Sequence, residues 1–249
     1  MKKFEELDSA AISDGSVMRL VKRNEEYLIY VDREELMTSR AHESELELAR
    51  LGLAHILHRR APRVVIGGLG MGFTLSESVK LLRPEAVIAV AELMPAVVRW
   101  NKKYFGNLND SPLDDPRVSV QIKDVRDIIR TQKGRLDAIL LDVDNGPTAL
   151  TQSGNNELYT REGIRACMQA LKPDGVLSIW SGSVEPSFEK RLRGEQLAFK
   201  LFPVAAYKGA KNRSRYVWVV FPRSSLRSAR RGYGLACTDL GYSKCVNEH

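Results

Sequence analysis

The sequence predicts an α/β fold: a seven-stranded, mostly parallel sheet of Rossmann-like type, closed by an antiparallel C-terminal hairpin and preceded by a small N-terminal β-hairpin. Three observations carry this. Short β-branched runs alternate with helical patterns from Arg63 onward, as successive βαβ units require. The first of these runs ends in the glycine-rich turn Gly67-Gly-Leu-Gly-Met-Gly72. Three consecutive strands then end in acids, Glu92, Asp124 and Asp142. In an open parallel sheet the ligand crevice lies beyond the carboxyl ends of the strands, so the turn and the acids converge there.

The elements follow in order. The 249 residues leave room for one large domain and a small appendage. Residues 1–40 read as the N-terminal β-hairpin region, with strands at 16–23 and 26–32 around a polar turn. Residues 41–222 read as a nucleoside-binding domain. Within it, apolar residues from Leu46 to Leu57 recur at helical spacing, which predicts a helix over 44–58. A strand from Arg63 and a helix over 73–82 flank the glycine turn. A strand over 86–92 and a helix over 95–104, with Pro95 in its first turn, come next. The strands predicted at 117–124 and 136–142 bracket a helix at 125–131, and the second is nearly all apolar, as a strand covered on both faces must be. A helix over 160–171, a tight turn at 172–175 and a fifth strand over 176–181 precede a helix at 186–197. Strands at 201–207 and 216–221 close the sheet as a hairpin. Residues 223–249, rich in Ser, Arg and Gly, read as a basic, flexible tail.

Composition narrows the class of protein. Hydrophobic content of 43% and charged content of 28% fit a globular chain. The longest apolar runs fall far short of a membrane span, and the acids at Glu5 and Glu6 do not suit a signal peptide, so the expected location is cytoplasmic with no membrane partner. Three scattered cysteines give neither a disulfide framework nor a metal-ligand cluster, and no metal is expected. The net charge of +7 comes from residues 200–231, which hold nine basic residues and no acid. Such a run fits either an anionic partner or a solvated basic face.

The turn itself has chemical content. Gly67, Gly68, Gly70 and Gly72 would let backbone N–H groups approach a nucleotide-like ligand, although a glycine-rich turn can also hold nothing. Glu92 falls 20 residues after Gly72, the interval at which an acid closing the second strand meets ribose hydroxyls. Acids converging on the crevice would repel a dinucleotide's phosphates and favour a cationic nucleoside.

Taken together, Val-Ile-Gly-Gly-Leu-Gly-Met-Gly, the acids ending strands two and three, Leu-Leu-Asp-Val-Asp-Asn-Gly-Pro and Leu-Lys-Pro-Asp-Gly-Val-Leu resemble the class I S-adenosylmethionine-dependent methyltransferase fold. Within that fold they look most like the spermidine synthase (aminopropyltransferase) family, over about residues 25 to 221. The resemblance implies transfer of an aminopropyl group to an amine acceptor in polyamine biosynthesis, with S-adenosylmethionine or its decarboxylated form as co-substrate. It implies that Gly67 to Gly72 line the nucleoside and sulfonium region, that Glu92 binds the ribose, and that Asp124 and Val125 face the adenine. Asp142 would stand at the reacting centre, accepting the amine's proton or orienting the amine, unless it merely caps a loop. His42, Glu45 and Asp144 are further candidate substrate contacts. A homodimer is implied too, with the N-terminal hairpin and the helix at 46–57 as its surfaces.

The chain also departs from the family pattern. Gly70 and Met94 stand where the family carries acids, and residues 36–45 contain no tyrosine. Loss of the acid at Gly70 fits a methyltransferase that uses intact S-adenosylmethionine, because an acid there would repel the cofactor's carboxylate. A third possibility is a non-catalytic nucleoside- or anion-binding homologue, with RNA or another anion on the basic 200–231 region.

Overall fold

The structure is a computed structural model that describes residues 4–143 and 155–222 of the chain. Its first unit is a four-stranded antiparallel sheet in the order β1-β2-β3-β4, formed by β1 (Phe4–Ala11), β2 (Val17–Arg23), β3 (Glu26–Val31) and β4 (Glu34–Thr38). The hairpin expected from the sequence is β2–β3, turning through Asn24 with φ of 57°. β1 and β4 extend it on either side. Their residues are short of apolar side chains, so pairing with a neighbouring strand and not intrinsic preference makes them strands.

The second unit is the seven-stranded sheet, in the order β10-β11-β9-β8-β5-β6-β7. β5 (Arg63–Gly67), β6 (Val87–Glu92), β7 (Val118–Ile122), β8 (Leu136–Leu141) and β9 (Leu171–Ser181) are parallel, while β10 (Ala198–Val204) and β11 (Arg215–Phe221) run antiparallel to their neighbours. The chain starts at the central β5, moves outward through β6 and β7, and returns to β8 on the other side of β5. That reversal is the topological switch point, where such sheets open a crevice. The helix expected over 44–58 ends at Leu53 and the one expected over 186–197 at Gly194, and two strand starts differ from expectation by more than one residue. β9 begins at Leu171, and the turn expected at 172–175 is an irregularity inside it, between the Leu136 and Ala138 pairings. β10 begins three residues before its predicted start because Ala198 pairs with Phe221.

Helices cover both faces. α1 (Glu43–Leu53), α2 (Phe73–Leu81) and α3 (Pro95–Trp100) pack into one apolar layer with Leu140, Val176, Val217 and Val219 of the sheet. Leu20 and Ile29 of the N-terminal sheet join the same layer. The helix expected at 95–104 runs further: after α3 it takes a π-turn over Asn101–Phe105 and ends as α4 (Gly106–Asn109). π-turns of this kind re-aim side chains. Here Asn101 Nδ2 donates to the Gly70 carbonyl at 2.8 Å and Asn109 Nδ2 to the Met71 carbonyl at 2.7 Å, so the helix braces the glycine turn. On the opposite face α5 (Val125–Thr131), α6 (Arg161–Ala170) and α7 (Pro186–Gly194) build the other layer around Ile139, Leu141 and Trp218.

The apolar face of α1 packs inside the chain through Leu48, Ala49, Leu51 and Leu53, all buried, while Leu46, Ala54 and Leu57 stay partly exposed. The helix lies close to the sheet at Gly52, where a Cβ would meet the Leu140 side chain and come within 2.9 Å of Ser178 Cβ. Gly52→Ala should therefore lower folding stability by roughly 1–3 kcal/mol through overpacking. Chemical denaturation of the two proteins measures the difference, and equal midpoints would contradict the close fit.

Candidate active site

Backbone contacts at the switch point set the geometry. The Asp142 N–H donates to the Gly67 carbonyl at 2.8 Å, and the Gly68 N–H donates to the Ala91 carbonyl at 2.8 Å, tying the ends of β5, β6 and β8 together. Gly68 adopts φ of 87°, and a Cβ there would strike the Asp142 carbonyl, so only glycine fits. A cavity of about 390 Å³ opens beyond these strand ends, within the size range of small-molecule sites. The N-terminal sheet forms its far wall, through Ile29, Leu36 and Met37 among others.

Gly68, Gly70, Glu92, Asp124, Val125, Asp142 and Glu45, all singled out in the sequence, line this cavity. Gly67 and Gly72 do other work. Gly67 lies against Val125 Cγ2, 3.0 Å from where its Cβ would be, and Gly72 faces the Asn101 and Asn109 side chains. His42 stacks on Phe73 with ring centroids 4.3 Å apart, and its Nδ1 lies 2.7 Å from the Ser39 carbonyl. Asp144 lies outside the described residues, as does the tail at 223–249.

Glu92 is buried and grips the loop: Oε2 accepts from the Leu69 N–H at 2.9 Å and Oε1 from the Met94 N–H at 2.8 Å. Asp124 caps α5, accepting from the Arg126 N–H at 2.8 Å, and pairs with the Arg126 guanidinium at 2.7 Å. Burial pushes its carboxyl up, but these donors outweigh burial and hold it below the usual range.

Asp142 and Glu45 are two buried carboxyls in the wall of this cavity. Thr74 Oγ1 donates to Asp142 Oδ2 at 2.6 Å, and Ser44 Oγ donates to Glu45 Oε2 at 2.6 Å. Desolvation raises Asp142 to about 6, and desolvation together with the charge of Asp142 raises Glu45 to about 8. At neutral pH the pair therefore holds a single proton. Both carboxyls line the same cavity as Gly68 and Gly70 of the glycine turn.

Three lining residues were not anticipated, Met37, Trp180 and Arg215, and neither was Thr74, whose buried hydroxyl holds Asp142. Trp180 lies near the carboxyl end of β9, so the rule that singled out Asp142 could have found it. Arg215 belongs to the basic 200–231 run, of which Lys200 lies over the Phe202 ring at 4.9 Å.

Residues 49–209 match the spermine/spermidine synthase domain. The chain belongs to that family. Among its relatives, the polyamine aminopropyltransferase of Thermotoga maritima is 36% identical over 129 residues, 51% of this chain and 42% of that protein. The matched stretch is thus under half of the relative's length. The polyamine aminopropyltransferase of Nitrosomonas europaea is 30% identical over 145 residues, 57% of this chain and 42% of its own. The solved spermidine synthase of Thermotoga maritima superimposes with a TM-score of 0.66 at 21% identity, over 88% of this chain and 74% of that one, which shows a shared fold. Membership in the spermine/spermidine synthase family agrees with the resemblance read from the glycine turn and the strand-end acids.

The pair has a consequence for stability. Unfolded, Glu45 and Asp142 ionise near their ordinary values of 4.5 and 3.8; folded, they keep protons to higher pH. Between about pH 5 and 8 the folded state binds more protons, so the pair's contribution to stability falls as pH rises. Glu45→Gln should remove much of that loss and be more stable than the parent at pH 8 by roughly 2–4 kcal/mol, with little difference at pH 5. Thermal unfolding at the two pH values tests this, and parallel pH profiles would count against the buried pair.

Proposed function

We propose that this chain transfers the aminopropyl group of decarboxylated S-adenosylmethionine to an amine, a reaction of polyamine biosynthesis. The observation that carries the reading is the Asp142–Glu45 pair in the cavity that the glycine turn lines. The sulfonium of the donor is a cation, and Glu92, Asp124 and Asp142 supply the matching negative charge around it. In the reaction the amine nitrogen's lone pair forms a bond to the methylene carbon next to sulfur. The carbon–sulfur bond breaks with its electron pair going to sulfur, which leaves methylthioadenosine. The proton shed by the nitrogen goes to the Asp142 carboxylate, which the Thr74 hydroxyl holds in place.

In this reading Glu92 accepts from the ribose hydroxyls, while Asp124 and Val125 stand at the adenine. The enzyme works as a cytoplasmic homodimer joined through the N-terminal sheet, where Phe4 and Val17 are exposed. Sedimentation of a Phe4→Glu variant as a monomer, against a dimeric parent, would support that assembly. A second reading, methyl transfer from intact S-adenosylmethionine, is favoured by Gly70 and Met94 in place of the family's acids.

Calorimetric titration separates the two. Tighter binding of decarboxylated S-adenosylmethionine and methylthioadenosine is the expected result, whereas preference for S-adenosylmethionine and S-adenosylhomocysteine supports methyl transfer. Failure of all four to bind would sink both. Asp142→Asn should abolish turnover while keeping methylthioadenosine affinity within about tenfold, some 1.4 kcal/mol. Undiminished turnover would remove Asp142 from the mechanism.

A further inference from the structure

One end of the cavity carries a charge that a diamine acceptor would not want. Arg215, the first residue of β11, lines the cavity. Its guanidinium bonds to the carbonyl of Ser214 at 3.1 Å and touches the Ser214 hydroxyl at 3.5 Å, and it has no ion pair among the described residues. Trp180 stands opposite Val217 on the adjacent β9, so it shares a face of the sheet with Arg215, one alternate position away. Its indole N–H is buried with no hydrogen-bond partner. Both groups are donors only. A guanidinium and an N–H on one wall match the two oxygens of a carboxylate, which arginine's planar fork binds in bidentate fashion.

The rest of the cavity sharpens the choice. Glu45 and Asp142 line the same cavity, and the Arg215 charge reaches Glu45 strongly enough to offset part of the rise caused by burial and by Asp142. A diamine enters as a dication, so one of its ammonium groups would suffer repulsion at Arg215. A molecule with an amine at one end and a carboxylate at the other satisfies both the acid pair and the guanidinium. Lys123, the other lining cation, follows β7 beside Asp124, in the part of the cavity assigned to the nucleoside.

We propose that Arg215, with the Trp180 indole N–H, forms a carboxylate-binding subsite, and that the acceptor is an amine that also bears a carboxylate. This rests on the transferase reading above, with the acceptor's amine at Asp142 and Glu45 and its carboxylate at Arg215.

The test uses the protein saturated with methylthioadenosine and two probes that differ at one end, 1,4-diaminobutane and 4-aminobutanoate. The parent should bind 4-aminobutanoate at least tenfold more tightly than the diamine. Arg215→Gln should lose that preference, Arg215→Lys should keep part of it, and both should bind methylthioadenosine as the parent does. A parent that prefers the diamine, binds neither probe, or keeps its preference in Arg215→Gln overturns the inference. A second arm compares S-adenosylmethionine with its decarboxylated form on the same proteins. If Arg215→Gln weakens only the intact form, the carboxylate belongs to the donor and the acceptor assignment is overturned. A parent that binds no methylthioadenosine brings down the transferase reading and this inference together; normal nucleoside binding without Arg215-dependent selection brings down this inference alone.

Discussion

The close backbone approach of Gly68 to Asp142 is the constraint on which the rest of the site depends. The end of β5 can lie against the end of β8 only because position 68 has no Cβ and tolerates a positive φ. That approach brings the glycine turn and the Asp142 side chain to one cavity. Glu92 then grips the turn from β6, and the asparagines beyond α3 brace it from behind. A flexible turn is thereby held by side chains from two other elements. Its backbone can present donors without a further ordering cost when a ligand arrives.

The acid pair shows how burial can substitute for a histidine. Glu45 comes from a helix and Asp142 from a strand end, and each has one hydroxyl donor, Ser44 and Thr74. Burial raises both carboxyls, and the charge of Asp142 adds to the rise at Glu45. The outcome is a Glu45 that keeps its proton to higher pH than Asp142 does. The same arrangement that produces a base near neutrality weakens the fold as the pH rises, so function and stability draw on one pair in opposite directions.

The central sheet was legible in the sequence because parallel strands buried on both faces leave continuous apolar runs, as in β5 and β8. Glu92, Asp124 and Asp142 were legible for a related reason: residues at or just past the carboxyl end of a parallel strand reach the crevice. β1 and β4 were hidden because charged and small residues dominate them, and only pairing with β2 and β3 makes them strands. The π-turn after Trp100 leaves no pattern in a short helical run. Trp180 was open to the same strand-end reasoning, but Arg215 was hidden because it starts β11, whose place beside β9 is set by tertiary pairing. In the sequence Arg215 was one more member of a basic run.

Met37 bears on the departure at position 70. Its Cε lies 2.8 Å from where a Cβ on Gly70 would sit, so a side chain of the N-terminal sheet occupies the space next to the turn. That methyl is the flexible end of its side chain and can swing aside, whereas the backbone at Gly70, with φ of 51°, strains any residue other than glycine. An acid placed at 70 alone therefore has to displace one wall of the cavity and hold a left-handed backbone, so its effect on the site is a change of shape as well as of charge.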